Sequence, residues 1–537
     1  MRIPIFGGRA HEHALPHRKT LNLLVTAVAS VLSRVSGVVT VLIAGWYLTK
    51  DDFGVFAIAT GVSTLTLFLR GGGSGLLLQT MAPAEFGVLG GAMFRVACLF
   101  GAIGGALTLL AIPIAGAQYS DVMLGGTSGL ASSLIGLASA ALLYQISTFP
   151  RAKAAAQFRF EALAVVDIIA AITKLVVAVV CARSGWGPAT LGAAQATASG
   201  VQLLGCVVIS GVSRADLSVQ PDWIPSTWKL IKVPLLLSVL ITVSTQIDTL
   251  VASLFVPVAT LGIYFFAANL ASAPISLVVG SLKSVLAPYA ARARGNPGLE
   301  RTNLEATFAA GTVFVPLALM MMATVYPSLS HLIWGQKWND SIWPVIIGAA
   351  LLIYPTIQGL LEGPVIGLRV WREYLSILAW RVACRAIGAV AAIVVVRWFA
   401  LDAPATAIAL TIGVGVPASV IAFIQIRSLM YRYKMDPQAV DFELHSPTIY
   451  AVVGLVATRG VIASVMDSKA LLGAAGVWAS LLEFVLAFGF FGLIAILLLR
   501  LNYLGKLLLL VSLMPAPIRQ ATYRVLMVKP EAVRGDL

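Results

Sequence analysis

Charge is what this sequence has least of. Only 11% of its 537 residues are Asp, Glu, Lys or Arg, and the acids number 23. Soluble domains carry about 25% charged residues, so this chain cannot clothe a water-facing surface around a core of its own. Histidine is scarce, at five, and cysteine scarcer, at four. Cys98, Cys181, Cys206 and Cys384 stand far apart inside apolar runs, which excludes a CxxC metal site and a disulfide framework. No HExxH, GxSxG or aspartate-rich nucleotide motif occurs. The run RGGGSG (Arg70 to Gly75) lacks the GK[ST] ending and the strand-to-helix setting of a phosphate loop, and reads as a flexible turn. No metal and no cofactor is expected, and no enzyme.

What fills the chain instead is apolar: 59% of residues are hydrophobic and the mean hydropathy is +0.92. One membrane crossing takes about 20 apolar residues. Apolar runs separated by polar breaks predict spans 1 to 6 at 22–48, 53–69, 88–113, 128–148, 162–182 and 188–211. Spans 7 to 12 follow at 233–255, 261–282, 306–333, 342–361, 374–396 and 405–426, and spans 13 and 14 at 447–466 and 471–499. The expectation is an all-α integral membrane protein of fourteen helices. The first apolar run is too long for a cleaved signal peptide. The breaks at 49–52, 256–260 and 467–470 are short enough to force tight antiparallel hairpins.

The 37 Lys and Arg against 23 acids give +14, a balance that in a soluble protein would suggest nucleic acid. Their placement gives another reason. With the N-terminus inside, 26 fall in inside segments, five in outside loops (Lys50, Arg183, Lys337, Arg397, Lys469) and six within spans. This is the positive-inside pattern. It predicts both termini in the cytoplasm and no nucleic-acid partner. Miscounting one helix would move every later loop to the other side and destroy it. No outside loop is long enough for a catalytic domain.

The sequence also repeats itself. FGVFAIAT (53–60) aligns with LGIYFFAA (261–268) at an offset of 208, matching Gly54 with Gly262, Phe56 with Tyr264 and Ala59 with Ala267. The copies open spans 2 and 8. An even number of helices separates them, so the repeat is parallel, as in transporters that bind cargo between two halves. The predicted organisation is a cytoplasmic arm (1–21), an N-lobe of spans 1 to 6 (22–211) and a cytoplasmic linker (212–232). A C-lobe of spans 7 to 12 (233–426), a cytoplasmic loop (427–446), spans 13 and 14 (447–499) and a cytoplasmic tail (500–537) complete it. The tail contains LLLLVSLM flanked by basic residues and can lie on the membrane surface as an interfacial helix.

A charge at mid-bilayer costs at least ~2.5–3.5 kcal/mol, so it normally faces a cavity or a partner. Arg34 lies deep in span 1, among Ser33, Ser36 and Gly37, and Lys174 deep in span 5. Arg381 and Arg385 are four residues apart in span 11 and share one face, where like charges repel unless an anion lies between them. Shifted by 208, Lys174 lands at 382, beside Arg381, so each half would present a cation to a shared interface. Arg95 sits near one end of span 3 and Arg459 near the end of span 13; snorkelling to headgroups is the simpler account of Arg459, and Arg95 stays open between snorkelling and a place in the site. The embedded acids are Asp167, Asp248 and Glu483. Asp167 is shallow enough for a solvated carboxylate. Asp248 has Ser244, Thr245 and Gln246 beside it, as an ion or proton site needs. Glu483 is compatible with a protonated structural role. Six cations to three anions favour an anionic cargo.

Four stretches carry a family resemblance. YLTKDDFGVFAIATGVSTLTLFL resembles the first-to-second-helix signature of bacterial polysaccharide-export and Wzx-type flippases, and QFRFEALAVVDIIAAITKLVVAVV resembles their fifth helix. IDTLVASLFVPVATLGIYFFAANLASAPISLVVGSLKSVLAPYAAR is similar to their helices 7 and 8, and LSHLIWGQKWNDSIWPVIIGA to the turn before helix 10. These cover most of residues 20–380. LSRVSG around Arg34 also looks like the first-helix motif of the lipid II flippases, whose arginine faces the cavity. The resemblance implies membership of the multidrug, oligosaccharidyl-lipid and polysaccharide (MOP) exporter superfamily, with two parallel six-helix lobes plus two C-terminal helices. It implies alternating-access transfer of an undecaprenyl-diphosphate-linked oligosaccharide, or a related exopolysaccharide precursor, across a bacterial inner membrane. Its partners would be that lipid-linked glycan and membrane lipid, together with a polysaccharide polymerase and co-polymerase. Arg34, Lys174, Arg381, Arg385 and Arg95 would hold the diphosphate, with Asp248, Asp167 or Glu483 coupling the cycle to an ion. Arg70 stands where the family often has an acid, which removes that contact here. The alternatives are a cation-coupled multidrug exporter on the same fold and a membrane polysaccharide polymerase.

Overall fold

The computed structural model describes residues 35–66, 78, 83–119, 128–157, 159–213, 215–218, 223–293, 295–368 and 370–436, with scattered residues from 440 to 489. Among the described residues every regular element is helical. The chain runs through α1 (Val35–Tyr47), α2 (Lys50–Thr66), α3 (Pro83–Tyr119), α4 (Ser128–Ala156), α5 (Phe160–Arg183), α6 (Ala189–Ser210) and α7 (Trp223–Ser253). It continues through α8 (Val258–Ala293), α9 (Pro297–Trp334), α10 (Ile342–Leu351), α11 (Ile353–Gly367), α12 (Trp371–Phe399) and α13 (Ala403–Arg432). Helical residues between Thr448 and Thr458 and between Val485 and Gly489 fall where spans 13 and 14 were expected, so the fourteen-helix expectation agrees with the structure.

Three boundaries differ from the sequence reading. Helices α3, α8 and α9 contain 37, 36 and 38 residues, about 55 Å each at 1.5 Å per residue. They outrun the bilayer, so segment 283–305, expected as an inside loop, is mostly helix. The linker 212–232 is shortened by a 3-10 turn at Ala215–Leu217 and by the early start of α7. Span 10 is two helices, α10 and α11, bent by 49° at Leu352. Helix α11 continues to Gly367, which carries Glu362 into the helical body rather than leaving it in a loop.

Local chemistry explains where the helices begin. Thr49 and Asp52 form a reciprocal cap on α2: the Asp52 amide donates to Thr49 Oγ1 (3.1 Å) and the Thr49 amide to Asp52 Oδ2 (2.8 Å). Asn296 caps α9 by accepting from the Leu299 amide, with Pro297 in the first turn, where its missing N–H costs nothing.

The repeat seen in sequence is a contact in space. A Cβ placed on Gly54 would lie 2.0 Å from the Val258 carbonyl oxygen, and one on Gly262 would lie 1.9 Å from that of Lys50. Val258 follows Lys50 by the same 208 residues that separate the glycines, so each helix start rests on its counterpart through a glycine. Only residues without a side chain permit backbones this close. Because the two N-terminal ends meet at one face, α2 and α8 point the same way, as a parallel repeat requires. Phe266 stacks on Trp338 with centroids 3.8 Å apart, and Phe53 stands edge-on to Phe266 at 5.1 Å, closing the seam with apolar rings.

Side chains near the end of α9 finish the junction. Trp334 Nε1 donates to the Leu42 carbonyl (3.1 Å), Trp338 Nε1 to Gly45 (2.9 Å), and Lys337 Nζ to Gly45 and Trp46 (both 3.0 Å). The Gly45 and Trp46 carbonyls lie in the last turn of α1, beyond the reach of its own helical N–H groups. Burial lowers the pKa of the Lys337 ammonium, against the pull of Asp52. Lys50 Nζ sits 2.6 Å from Asp340 Oδ2 beside it.

Candidate functional site

Helix α12 carries Arg381 and Arg385 one turn apart, as the spacing predicts, and each has a carboxylate of its own. Arg381 Nη2 lies 2.7 Å from Glu362 Oε1 and donates to Gln358 Oε1 at 2.9 Å. Tyr374 Oη donates to the other Glu362 oxygen at 3.1 Å. Arg385 Nη2 reaches Asp248 Oδ2 on α7 at 3.1 Å, and Nη1 donates to the Ser244 carbonyl at 2.5 Å. Tyr264 Oη, from α8, donates to the same Asp248 oxygen at 2.5 Å. The result is two Tyr–carboxylate–Arg sets stacked along one helix. Each pair replaces two expensive charges with one neutral group, and this relieves the repulsion between the arginines.

Glu362, Gln358, Tyr374 and Gln425 had no place in the sequence reading. They line a small, partly open cleft beside Arg381 together with Leu361, Val365 and other apolar residues. Gln358 and Glu362 are four residues apart on α11, and that spacing, set against the arginine pair of α12, was the available signal. Asp248 is 3% exposed, and its Oδ1 has no hydrogen-bond partner among the described residues.

The N-lobe is arranged otherwise. Asp167, expected either as a solvated carboxylate or as an ion-coupling acid, accepts a two-pronged bond from Arg151 on α4, with Nη1–Oδ1 and Nη2–Oδ2 both at 2.6 Å. A planar guanidinium matched to a carboxylate in this way occupies both carboxylate oxygens. Lys174 lies half-buried on α5 with no ion pair or side-chain hydrogen bond among the described residues. Arg95 is exposed on α3, likewise without an ion pair among them. Arg34 and Glu483 lie outside the described residues, as does the Arg70–Gly75 run.

Helix starts refine the comparison of the two halves. From Phe160 to Lys174 and from Trp371 to Arg385 is fourteen residues in each case, about 21 Å along the axis. Counted from the helix starts, Lys174 therefore matches Arg385 rather than Arg381. The surrounding contacts agree. Ser36 Oγ on α1 donates to the Ala171 carbonyl on α5 at 2.8 Å, and its counterpart 208 residues on, Ser244, accepts from Arg385 through its carbonyl. The structure does not bring Lys174 and the α12 arginines into contact.

Comparisons with known proteins add the following. Residues 47–343 match the family of polysaccharide biosynthesis proteins. No curated protein sequence matches the chain significantly. Among solved structures, the lipid II flippase MurJ in an inward closed conformation is 14% identical with a TM-score of 0.59, covering 89% of this chain and 99% of its own. A MOP superfamily transporter from Pyrococcus furiosus is 14% identical with a TM-score of 0.55, over 77% of this chain and 96% of its own. A MATE transporter in complex with MaD5 is 14% identical at a TM-score of 0.52, with the same coverage. At these identities the likeness is one of fold.

Proposed function

The chain belongs to the polysaccharide biosynthesis protein family and has a MOP-transporter fold, and from that premise we propose that it is a flippase of the bacterial inner membrane. Its cargo in this reading is an undecaprenyl-diphosphate-linked oligosaccharide or a related exopolysaccharide precursor, moved from the cytoplasmic to the periplasmic face by alternating access. Both termini lie in the cytoplasm, on the side that the basic loops mark. A polysaccharide polymerase and co-polymerase receive the product. One of the folds it resembles is a lipid II flippase, which supports the reading by likeness of architecture.

The observation that carries the proposal is the charge balance. Asp167, Asp248 and Glu362 each hold an arginine, whereas Lys174 sits midway along α5 with no counter-charge among the described residues. A carrier of cationic drugs on this fold would need a free acid in that setting, and these three are occupied. An unpaired ammonium deep in a span is costly unless a mobile anion visits it, and a phosphate oxygen supplies a charge-assisted hydrogen bond.

The test is glycan export by Lys174→Met in cells that lack the native gene. A charged hydrogen bond is worth about 1.5–3 kcal/mol, so export at limiting cargo is expected to fall by roughly 10- to 150-fold at normal membrane abundance. Wild-type export from that variant overturns the site.

A further inference from the structure

The two halves can be compared position by position around their equivalent cations. In the C-lobe, Arg385 is surrounded by Asp248, Tyr264 and the Ser244 carbonyl. Stepping back 208 residues from these three gives Thr40, Phe56 and Ser36. The N-lobe therefore keeps the cation and the serine but has neither the carboxylate nor the tyrosine hydroxyl. Helix geometry places Thr40 beside Lys174. Ser36 bonds to Ala171, and Thr40 and Lys174 lie one turn further along α1 and α5 in the same direction. Thr40 is buried, and its hydroxyl turns back to the Ser36 carbonyl (2.7 Å) rather than out to the lysine.

We infer that the lobes carry two copies of one anion site, of which the C-lobe copy is filled permanently by Asp248 and the N-lobe copy is open to one anionic group of the cargo. This rests on the proposed function and deepens it. The diphosphate rides on the N-lobe through Lys174, and the C-lobe supplies the internal mimic of a loaded site. Thr40 is a specificity-determining position, because an acid there would do to Lys174 what Asp248 does to Arg385.

The experiment measures binding of a short polyprenyl diphosphate, with inorganic pyrophosphate as a second probe, to the purified full-length protein in nanodiscs. Thr40→Asp is expected to weaken diphosphate binding at least 10-fold, as Lys174→Met does, while Thr40→Asn, of the same size without the charge, stays within about 2-fold of wild type. The double variant Asp248→Asn/Arg385→Met removes both partners together and leaves binding within about 2-fold, with the folded population checked by size-exclusion profile. Thr40→Asp binding like wild type, Thr40→Asn losing as much as Thr40→Asp, or the double variant losing binding overturns the division between the lobes. A wild-type protein that binds neither probe strikes the proposed function itself.

Discussion

At the scale of single residues, the embedded charges sort by partner rather than by depth. Arg381, Arg385 and Arg151 are held by acids on neighbouring helices, and removing one member of such a pair strands the other in a medium that cannot solvate it. Arg385→Gln is therefore expected to destabilise the protein by about 3–5 kcal/mol, while Asp248→Asn/Arg385→Met is nearly neutral. Thermal unfolding of the detergent-purified variants checks this. Equal losses in the two would mean that the pair is not coupled. The sequence made the arginine pair legible through its spacing, and the mid-span depth of Lys174 and Asp248. It could not assign partners, because Asp248 and Arg385 meet across 137 residues of chain. Glu362 was hidden for a different reason: EGPVIG reads as the end of a helix, yet the bend at Leu352 lets α11 continue through Pro364.

At the scale of elements, the repeat was legible from one short match because the α2–α8 seam demands glycine on both sides. Elsewhere side chains are free to differ, and the offset drifts from 208 at α2 and α8 to 211 between the starts of α5 and α12, so further matches fade. Gly54→Val places a side chain against the Val258 carbonyl and should hold the seam apart. In a background without the four native cysteines, labelling of Ser341→Cys by a membrane-impermeant maleimide should rise several-fold with Gly54→Val. Unchanged labelling would mean that the contact is not a closure.

The turn between α6 and α7 has its own staple. Asp216 accepts from Lys153 Nζ at 2.7 Å and from the Ser213 amide and hydroxyl, and these bonds, led by that to Lys153, bring its pKa down to about 2. A carboxyl depressed in the folded state contributes stability that is present above its unfolded pKa of roughly 3.9 and lost as pH falls toward the folded value. The stability the staple contributes should be full above about pH 4 and lost between about pH 4 and 2. Asp216→Asn should mimic that loss at neutral pH, read as faster amide exchange at Ser213; unchanged exchange would contradict the assignment.

At the scale of the whole molecule, two similar lobes meet at a glycine and tryptophan seam at one face and differ at their matched cations: Arg385 is paired with Asp248, whereas Lys174 has no ion pair among the described residues. That asymmetry follows from a few residues, Thr40 where the partner lobe has Asp248 and Phe56 where it has Tyr264, and in the proposed reading it leaves one anion site rather than two. The most direct measurement is reconstitution in vesicles with a fluorescent undecaprenyl-diphosphate-linked oligosaccharide, following its transfer between leaflets. The wild-type protein should move the lipid-linked glycan, and Lys174→Met should leave it in its starting leaflet while inserting normally. Transfer by Lys174→Met at the wild-type rate, or none by the wild type, would contradict the account.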